Sequence, residues 1–275
     1  MAFRAFSTRL NLLGGCLALL LVSIPLQAAQ VQIFIAGDST AATYSAPDQQ
    51  GWGALLGEYI DPQKAKVHNL ARGGRSSRTF ITEGLWQNLI EQVQEGDIVI
   101  IQFGHNDASN INDDSRARGT LPGIGNELIH IDNLLTGKKE TVYTFGHYVR
   151  QMVRDVVAKN ATPILMSLTQ SNRWQNGHLL RNGGYGRWSY ELALELNVPF
   201  VDLNSLVADR LEALGEEKVA AFYTKDHTHF NPDGARVHTE TALAAFKGLR
   251  PDMFAGLLND KGFAAMHIIL PFNLP

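Results

Sequence analysis

Cysteine is all but missing from these 275 residues: Cys16 is the only one. It lies in an N-terminal stretch that reads as a removable leader. The mature chain would then form no disulfide, even in an oxidising compartment, and would rely on its core. Long apolar runs are also missing. The longest, residues 12–24, falls short of the roughly 20 residues that a membrane-spanning helix requires. Basic residues are too few to suggest a polyanionic partner by bulk charge. Lys and Arg total 24 against 27 Asp and Glu, a formal charge of −3, which argues against nucleic acid as a partner. A hydrophobic content of 45% with 19% charged residues excludes a disordered chain. Neither an internal repeat nor a linker composition is present.

The leader is built from Arg4 and Arg9, the apolar run 12–24, and Pro25-Leu26-Gln27-Ala28, which ends in a small residue suited to cleavage. The expected division is a signal peptide over residues 1–28 and one domain over 29–275. That makes the protein secreted or periplasmic, with no membrane attachment after cleavage. Losing two arginines and no acid makes the mature chain more acidic. Leu13-Gly14-Gly15-Cys16 only loosely matches a lipoprotein box, because Cys16 sits in mid-run, so lipidation is discounted.

Apolar periodicity then alternates between two patterns. Short β-branched runs predict strands at 31–36, 66–70, 97–103, 162–168 and 198–203. Helical spacing predicts helices at 52–60, 85–93, 143–159, 184–196, 206–214 and 232–248. This alternation indicates an α/β fold with a parallel sheet covered on both faces. Sites in such sheets form beyond the carboxyl ends of the strands. Ser39, Gly73-Gly74, His105-Asn106-Asp107 and Thr169-Gln170 all follow predicted strands, so they would converge on one edge. Residues 108–141 are polar and too long for a simple connection. They read either as a loop that contacts substrate or as a surface excursion.

Gly37-Asp38-Ser39-Thr40 places a serine on an expected strand-to-helix turn, and Asp226-His227-Thr228-His229 follows far downstream. A serine hydroxyl is a weak nucleophile until an imidazole takes its proton, and a carboxylate must fix the tautomer of that imidazole. Asp226 and His229 are three residues apart, so one short loop can deliver both. The glycine pair in Asn69-Leu70-Ala71-Arg72-Gly73-Gly74 allows close backbone approach. The N–H of Gly74 could face a developing oxyanion, or the pair could be an ordinary turn. Asn106 could donate its amide to the same oxyanion, or cap a turn. His227-x-His229 beside two acids does not make a zinc site, since alternate side chains on a loop diverge. His105 reads as a packing or hydrogen-bonding residue, and Asp38 as a carboxylate that stabilises its turn. Trp174, Tyr185 and Trp188 are candidates to stack on sugar rings or to pack in the core. Arg75 and Arg78 could pair with a uronate carboxylate or form surface salt bridges.

Together these segments resemble the SGNH (GDSL-type) hydrolase family, whose four motifs supply Ser, Gly, Asn and His. Here they are Ser39, Gly74, Asn106 and His229, in the family's order over residues 31–249. Gly-Asp-Ser-Thr, Gly74-Arg75-Ser76, Phe103-Gly104-His105-Asn106-Asp107 and Asp226-x-x-His229 with Ala235 are similar to the rhamnogalacturonan acetylesterase branch. The resemblance implies a three-layer α/β/α fold of flavodoxin type with a five-stranded parallel sheet. It implies Ser39 as nucleophile, His229 as general base and then acid, and Asp226 as its orienter. The oxyanion hole would combine the N–H groups of Ser39 and Gly74 with the Asn106 side chain. No metal or organic cofactor is implied. The expected substrate is an acetylated polysaccharide or oligosaccharide, with Arg75 and Trp174 as candidate contacts. The rival readings are an acetylxylan esterase, a lipid or short-chain ester hydrolase of the same superfamily, and a non-catalytic carbohydrate-binding protein.

Overall fold

The computed structural model describes residues 1–2, 30–181, 183–223 and 225–265. All but the first two residues of the expected leader, and the last ten residues of the chain, lie outside them. Five parallel strands make the central sheet: β1 (Val31–Gly37), β2 (Ala65–Asn69), β3 (Ile98–Gln102), β4 (Thr162–Met166) and β5 (Phe200–Val201). Their order is 2-1-3-4-5. This is the flavodoxin-like doubly wound order, whose switch point lies between β1 and β3.

The sheet is apolar on both faces because its strands alternate between two cores. Ile33, Ile35, Ile98, Ile100, Ile164 and Val201 join one cluster, while Phe34, Ala36, Val99, Ile101 and Leu165 join the other. Near-continuous apolar strands are what a parallel sheet with two covered faces requires. The second face is covered by α1 (Ser77–Thr82), α2 (Leu85–Ile90), α3 (Phe145–Ala158) and α4 (Gly183–Leu196). The first is covered by α5 (Leu203–Leu214), α6 (Glu216–Ala220) and α7 (Pro232–Gly248). A last short helix, α8 (Asp260–Ala264), packs near Tyr59. Among the described residues no helix is long and apolar enough to cross a membrane.

Several expected boundaries move, each for a local reason. Residues 52–60 form two 3₁₀ segments, Trp52–Ala54 and Leu56–Tyr59, instead of one α-helix. Gly51, Gly53 and Gly57 weaken helix propensity there, while Trp52, Leu56 and Tyr59 still bury their side chains. The helix expected from 143 begins at Phe145, because Thr144 caps it by accepting from the His147 N–H at 3.2 Å. The last strand is only two residues long, since Asp202 caps α5 by accepting from the Ser205 N–H. No helix follows Ser39: the Ala41 and Ala42 amides bond the Asp38 carbonyl in a single turn that is not continued. The 108–141 segment contains an antiparallel hairpin, Leu128–Asp132 against Lys139–Tyr143.

Helix α1 was not legible as a periodic segment, yet its start is well defined. Ser76 and Thr79 form a capping box, each side chain bonded to the backbone N–H of the other. Its Arg78 is fully buried, not a surface residue. Nε and Nη2 donate to the two oxygens of Glu140, both at 2.7 Å, and Nη1 donates to the carbonyls of Ile111 and Gly119 at 2.8 Å. Arg78 therefore fastens the polar insertion to α1 at three points. Arg78→Ala removes the charge that compensates a largely enclosed Glu140, so it should cost about 3–5 kcal/mol of stability. Urea unfolding checks this, and an unchanged midpoint would show that the insertion is held by something else.

Candidate active site

Ser39, Gly74 and Asn106 sit beyond the ends of β1, β2 and β3, at the switch point of the sheet. The Ser39 hydroxyl lies 2.8 Å from His229 Nε2, and His229 Nδ1 lies 2.7 Å from Asp226 Oδ2. The other oxygen of Asp226 accepts from the backbone N–H groups of Thr228 and His229, both at 2.7 Å. Burial pushes this carboxyl upward. The His229 backbone and ring bonds and the Thr228 N–H outweigh that, and its pKa falls to about 2. It is therefore a carboxylate throughout the neutral range, able to hold a proton on His229 Nδ1 and leave Nε2 to accept from Ser39.

The loop that carries Asp226 and His229 is anchored just downstream. Phe230 plugs into the core, stacked on His238 with centroids 4.1 Å apart. Asn231 caps α7 by accepting from the Asp233 and Gly234 N–H groups, with Pro232 in the first helical turn. His229 is thus fixed by the two residues that follow it.

Opposite the hydroxyl is the turn with Gly73 and Gly74. Gly74 has φ of +77°, a conformation that favours glycine. Its carbonyl accepts from Arg118 Nη1 at 3.1 Å, which fixes the orientation of the peptide plane. Asn106 is buried and donates from Nδ2 to the Arg75 carbonyl at 2.9 Å; it lines the same cleft as Ser39 and Gly74. Gly104 leaves no room for a side chain, since a Cβ there would meet Leu168 at 2.4 Å. Asp38 accepts from the N–H and hydroxyl of Thr40, both at 2.8 Å, and stabilises the turn that carries Ser39.

The cleft has a volume of about 790 Å³. Arg75 lines it, but its Nε is paired with Glu83 at 2.8 Å. Trp174 does not line it. This residue packs against the first of the two cores and donates from its indole to Asn172 at 2.7 Å. Tyr185 and Trp188 pack with Phe145 in the other core. His105 bonds Thr169 Oγ1 at 2.9 Å. His227 turns away from His229 to meet Arg173. Among the described residues no cluster of His, Cys, Asp or Glu is arranged to hold a metal ion.

Sequence reasoning did not single out Tyr44, Arg116, Arg118 or Arg173, all of which line the cleft. The Tyr44 hydroxyl reaches Ser39. Its pKa is raised by burial and by the nearby Asp38 charge, against the lowering effect of the Ser39 hydrogen bond. None of these four has a periodic signal, because all come from loops.

The chain belongs to the GDSL-like lipase/acylhydrolase family, which it matches over residues 35–237. It is 36% identical over 233 residues to a rhamnogalacturonan acetylesterase of Emericella nidulans, covering 83% of this chain and 90% of that one. A Bacillus subtilis rhamnogalacturonan acetylesterase is 30% identical, covering 74% of this chain and 84% of its own length. Among solved structures, a Bacillus subtilis protein superposes with a TM-score of 0.65 at 26% identity. That match covers 80% of this chain but only 56% of the Bacillus one. A catalytic mutant of an acetylxylan esterase from Geobacillus stearothermophilus, at 17% identity and a TM-score of 0.51, shares the fold.

Asp107, beside Asn106, is buried and accepts from the N–H and hydroxyl of Ser77 at the start of α1. Burial lifts its pKa to about 7, against the lowering effect of those Ser77 bonds. The folded state therefore holds a proton that the unfolded chain releases near its ordinary value of 3.8. The sign follows: this contribution to stability is complete below that ordinary value and is lost as pH rises through about 7. The urea midpoint of the wild type should fall relative to Asp107→Asn across that window and then run parallel to it. Parallel curves over the whole range would mean that Asp107 is already ionised at low pH.

Proposed function

We propose that this chain is an exported carbohydrate O-acetylesterase whose substrate is acetylated rhamnogalacturonan or its oligosaccharides. The observation that carries the reading is the continuous Ser39–His229–Asp226 hydrogen-bond chain, which opens onto a polar cleft. Family membership and the acetylesterase relatives support ester hydrolysis as the reaction. The cleft supports a small acyl group on a polar alcohol. Among the described residues that line it, Leu135 is the only aliphatic side chain larger than alanine, so these residues form no apolar channel for a long acyl chain. The N-terminal leader pattern supports action in the periplasm or outside the cell, where such polymers are met.

In the proposed mechanism His229 Nε2 takes the Ser39 proton as Oγ attacks the acetyl carbonyl. Asp226 holds the resulting imidazolium. The negative charge on the carbonyl oxygen is met by the N–H groups of Ser39 and Gly74 and by the free N–H of the Asn106 amide. Arg75's carbonyl holds the other proton of that amide, so the group is preoriented. Collapse of the intermediate expels the sugar hydroxyl, which takes its proton from His229. Water, activated by the same imidazole, then releases acetate from the acetyl-serine.

Acetate release from acetylated rhamnogalacturonan, acetylated xylan and 4-nitrophenyl acetate tests this, with Ser39→Ala expected to be inactive on all three. Wild-type levels in that variant would sink the assignment, and inactivity of the wild type would favour a binding protein. Strong preference for xylan would keep the mechanism and move the substrate. Asn106→Ala should lose about 10²–10³ in kcat while keeping its circular dichroism and melting behaviour. On nitrophenyl esters acetate should be best, with little turnover beyond butyrate.

A further inference from the structure

The charge of the cleft opposes that of the molecule. The whole chain carries more acids than bases, yet four arginines line the cleft, against only Glu83 and Asp226. Both acids are already engaged, Glu83 with Arg75 and Asp226 with His229. Among the described residues the other three guanidinium groups enter no ion pair. Arg118 is bound only by neutral acceptors, Ser109 Oγ and the Gly74 carbonyl. Arg173 meets the imidazole of His227. Arg116 is exposed and enters no ion pair among the described residues.

Such an arrangement is unfavourable in the empty protein. Arg118 is partly buried, and burial and then the charge of Arg116 push its pKa down, more than the carboxylates of Asp38 and Asp113 push it back up. Like charges gathered in a concave, partly desolvated site repel one another, and an arriving anion relieves that repulsion. The residue type is informative as well. No lysine lines the cleft, and arginine presents the planar fork that binds a carboxylate bidentately. Arg75 and Arg78, weighed above as uronate partners or salt-bridge residues, each already hold a carboxylate. Arg75 is paired with Glu83, and Arg78 is buried against Glu140.

We propose that Arg116, Arg118 and Arg173 form a carboxylate-binding subsite that holds uronic-acid residues of the glycan beside the acetylated sugar at Ser39. The proposal rests on the esterase reading and narrows its substrate to acidic glycans. The insertion supplies two of the three arginines, and the segment after β4 supplies the third. The polymer is therefore held from two chain segments on the rim of the cleft. Specificity for acidic over neutral acetylated glycans then comes from these charges, not from contact with the acetyl group, which is the same in both.

The test measures binding separately from turnover. In the Ser39→Ala protein, calorimetric titration compares an acetylated rhamnogalacturonan oligosaccharide with the same oligosaccharide after its carboxyl groups are reduced to alcohols. The acidic form should bind about tenfold or more tightly, since hydrogen bonds to charged groups are stronger than those between neutral ones. That preference should shrink with added salt. Adding Arg116→Gln and Arg173→Gln together should remove most of it. Arg118 is left in place because it also holds Gly74. In the otherwise wild-type enzyme, the same pair of changes should raise KM for the acidic oligosaccharide far more than it lowers kcat. Equal affinity for the acidic and reduced forms overturns the proposal, as does a preference that survives the double substitution, or no binding of either form. Failure of the esterase reading is separate and visible: wild-type protein would then release no acetate, whatever the titrations gave.

Discussion

Arg78 lies with its guanidinium fully enclosed between α1 and the polar insertion, and every acceptor around it belongs to that insertion. The short helix that carries it is a junction. Its capping residue Ser76 lies one residue beyond the Gly73–Gly74 turn. Its first residue, Ser77, donates twice to Asp107 at the end of β3. Arg75, just before the cap, holds the Asn106 amide through its carbonyl. The glycine turn, the asparagine and the arginine-bearing insertion are thus positioned by one element of six residues. Without the buried ion pair the insertion would lose its anchor, and Arg118 would lose its hold on the Gly74 carbonyl.

The sheet supplies the rest of the geometry. Its order reverses direction between β1 and β3, so the loops after these strands diverge to opposite faces and leave a crevice between them. Ser39 stands at that crevice, and the His229 loop reaches it from the start of α7. The reach is secured from behind: Phe230 in the core and Asn231 at the cap leave His229 little freedom to move.

Four aspartates and glutamates near the site are treated in different ways. Asp226 is held ionised by N–H donors and the imidazole. Asp107 is raised by burial and serves α1. Asp38 is bound by Thr40 and stabilises the turn that carries Ser39. Glu83 is paired with Arg75. Among the described residues the other three arginines of the cleft lining enter no ion pair, so its bases outnumber its acids on an acidic protein.

Much of this was legible in the chain itself. Alternating β-branched runs and helical spacings specified an α/β fold, because a strand buried on both faces must be apolar throughout. Motif order singled out Ser39, Gly74, Asn106, Asp226 and His229, because each follows a strand or precedes a capped helix, positions that local sequence marks. Helix α1 escaped notice because six residues are too few to display a period. Trp174 and Arg78 stayed between two readings because a side chain's type does not say which way it faces. The arginines of the cleft belong to loops, where no periodicity links sequence to direction, and Arg116 and Arg173 are more than fifty residues apart. Local composition and spacing determined the sheet, its helices and which residues are candidates for the chemistry. Which charges surround the serine, and which of them already have partners, was decided only when the chain closed on itself, since ion pairing depends on distances in space.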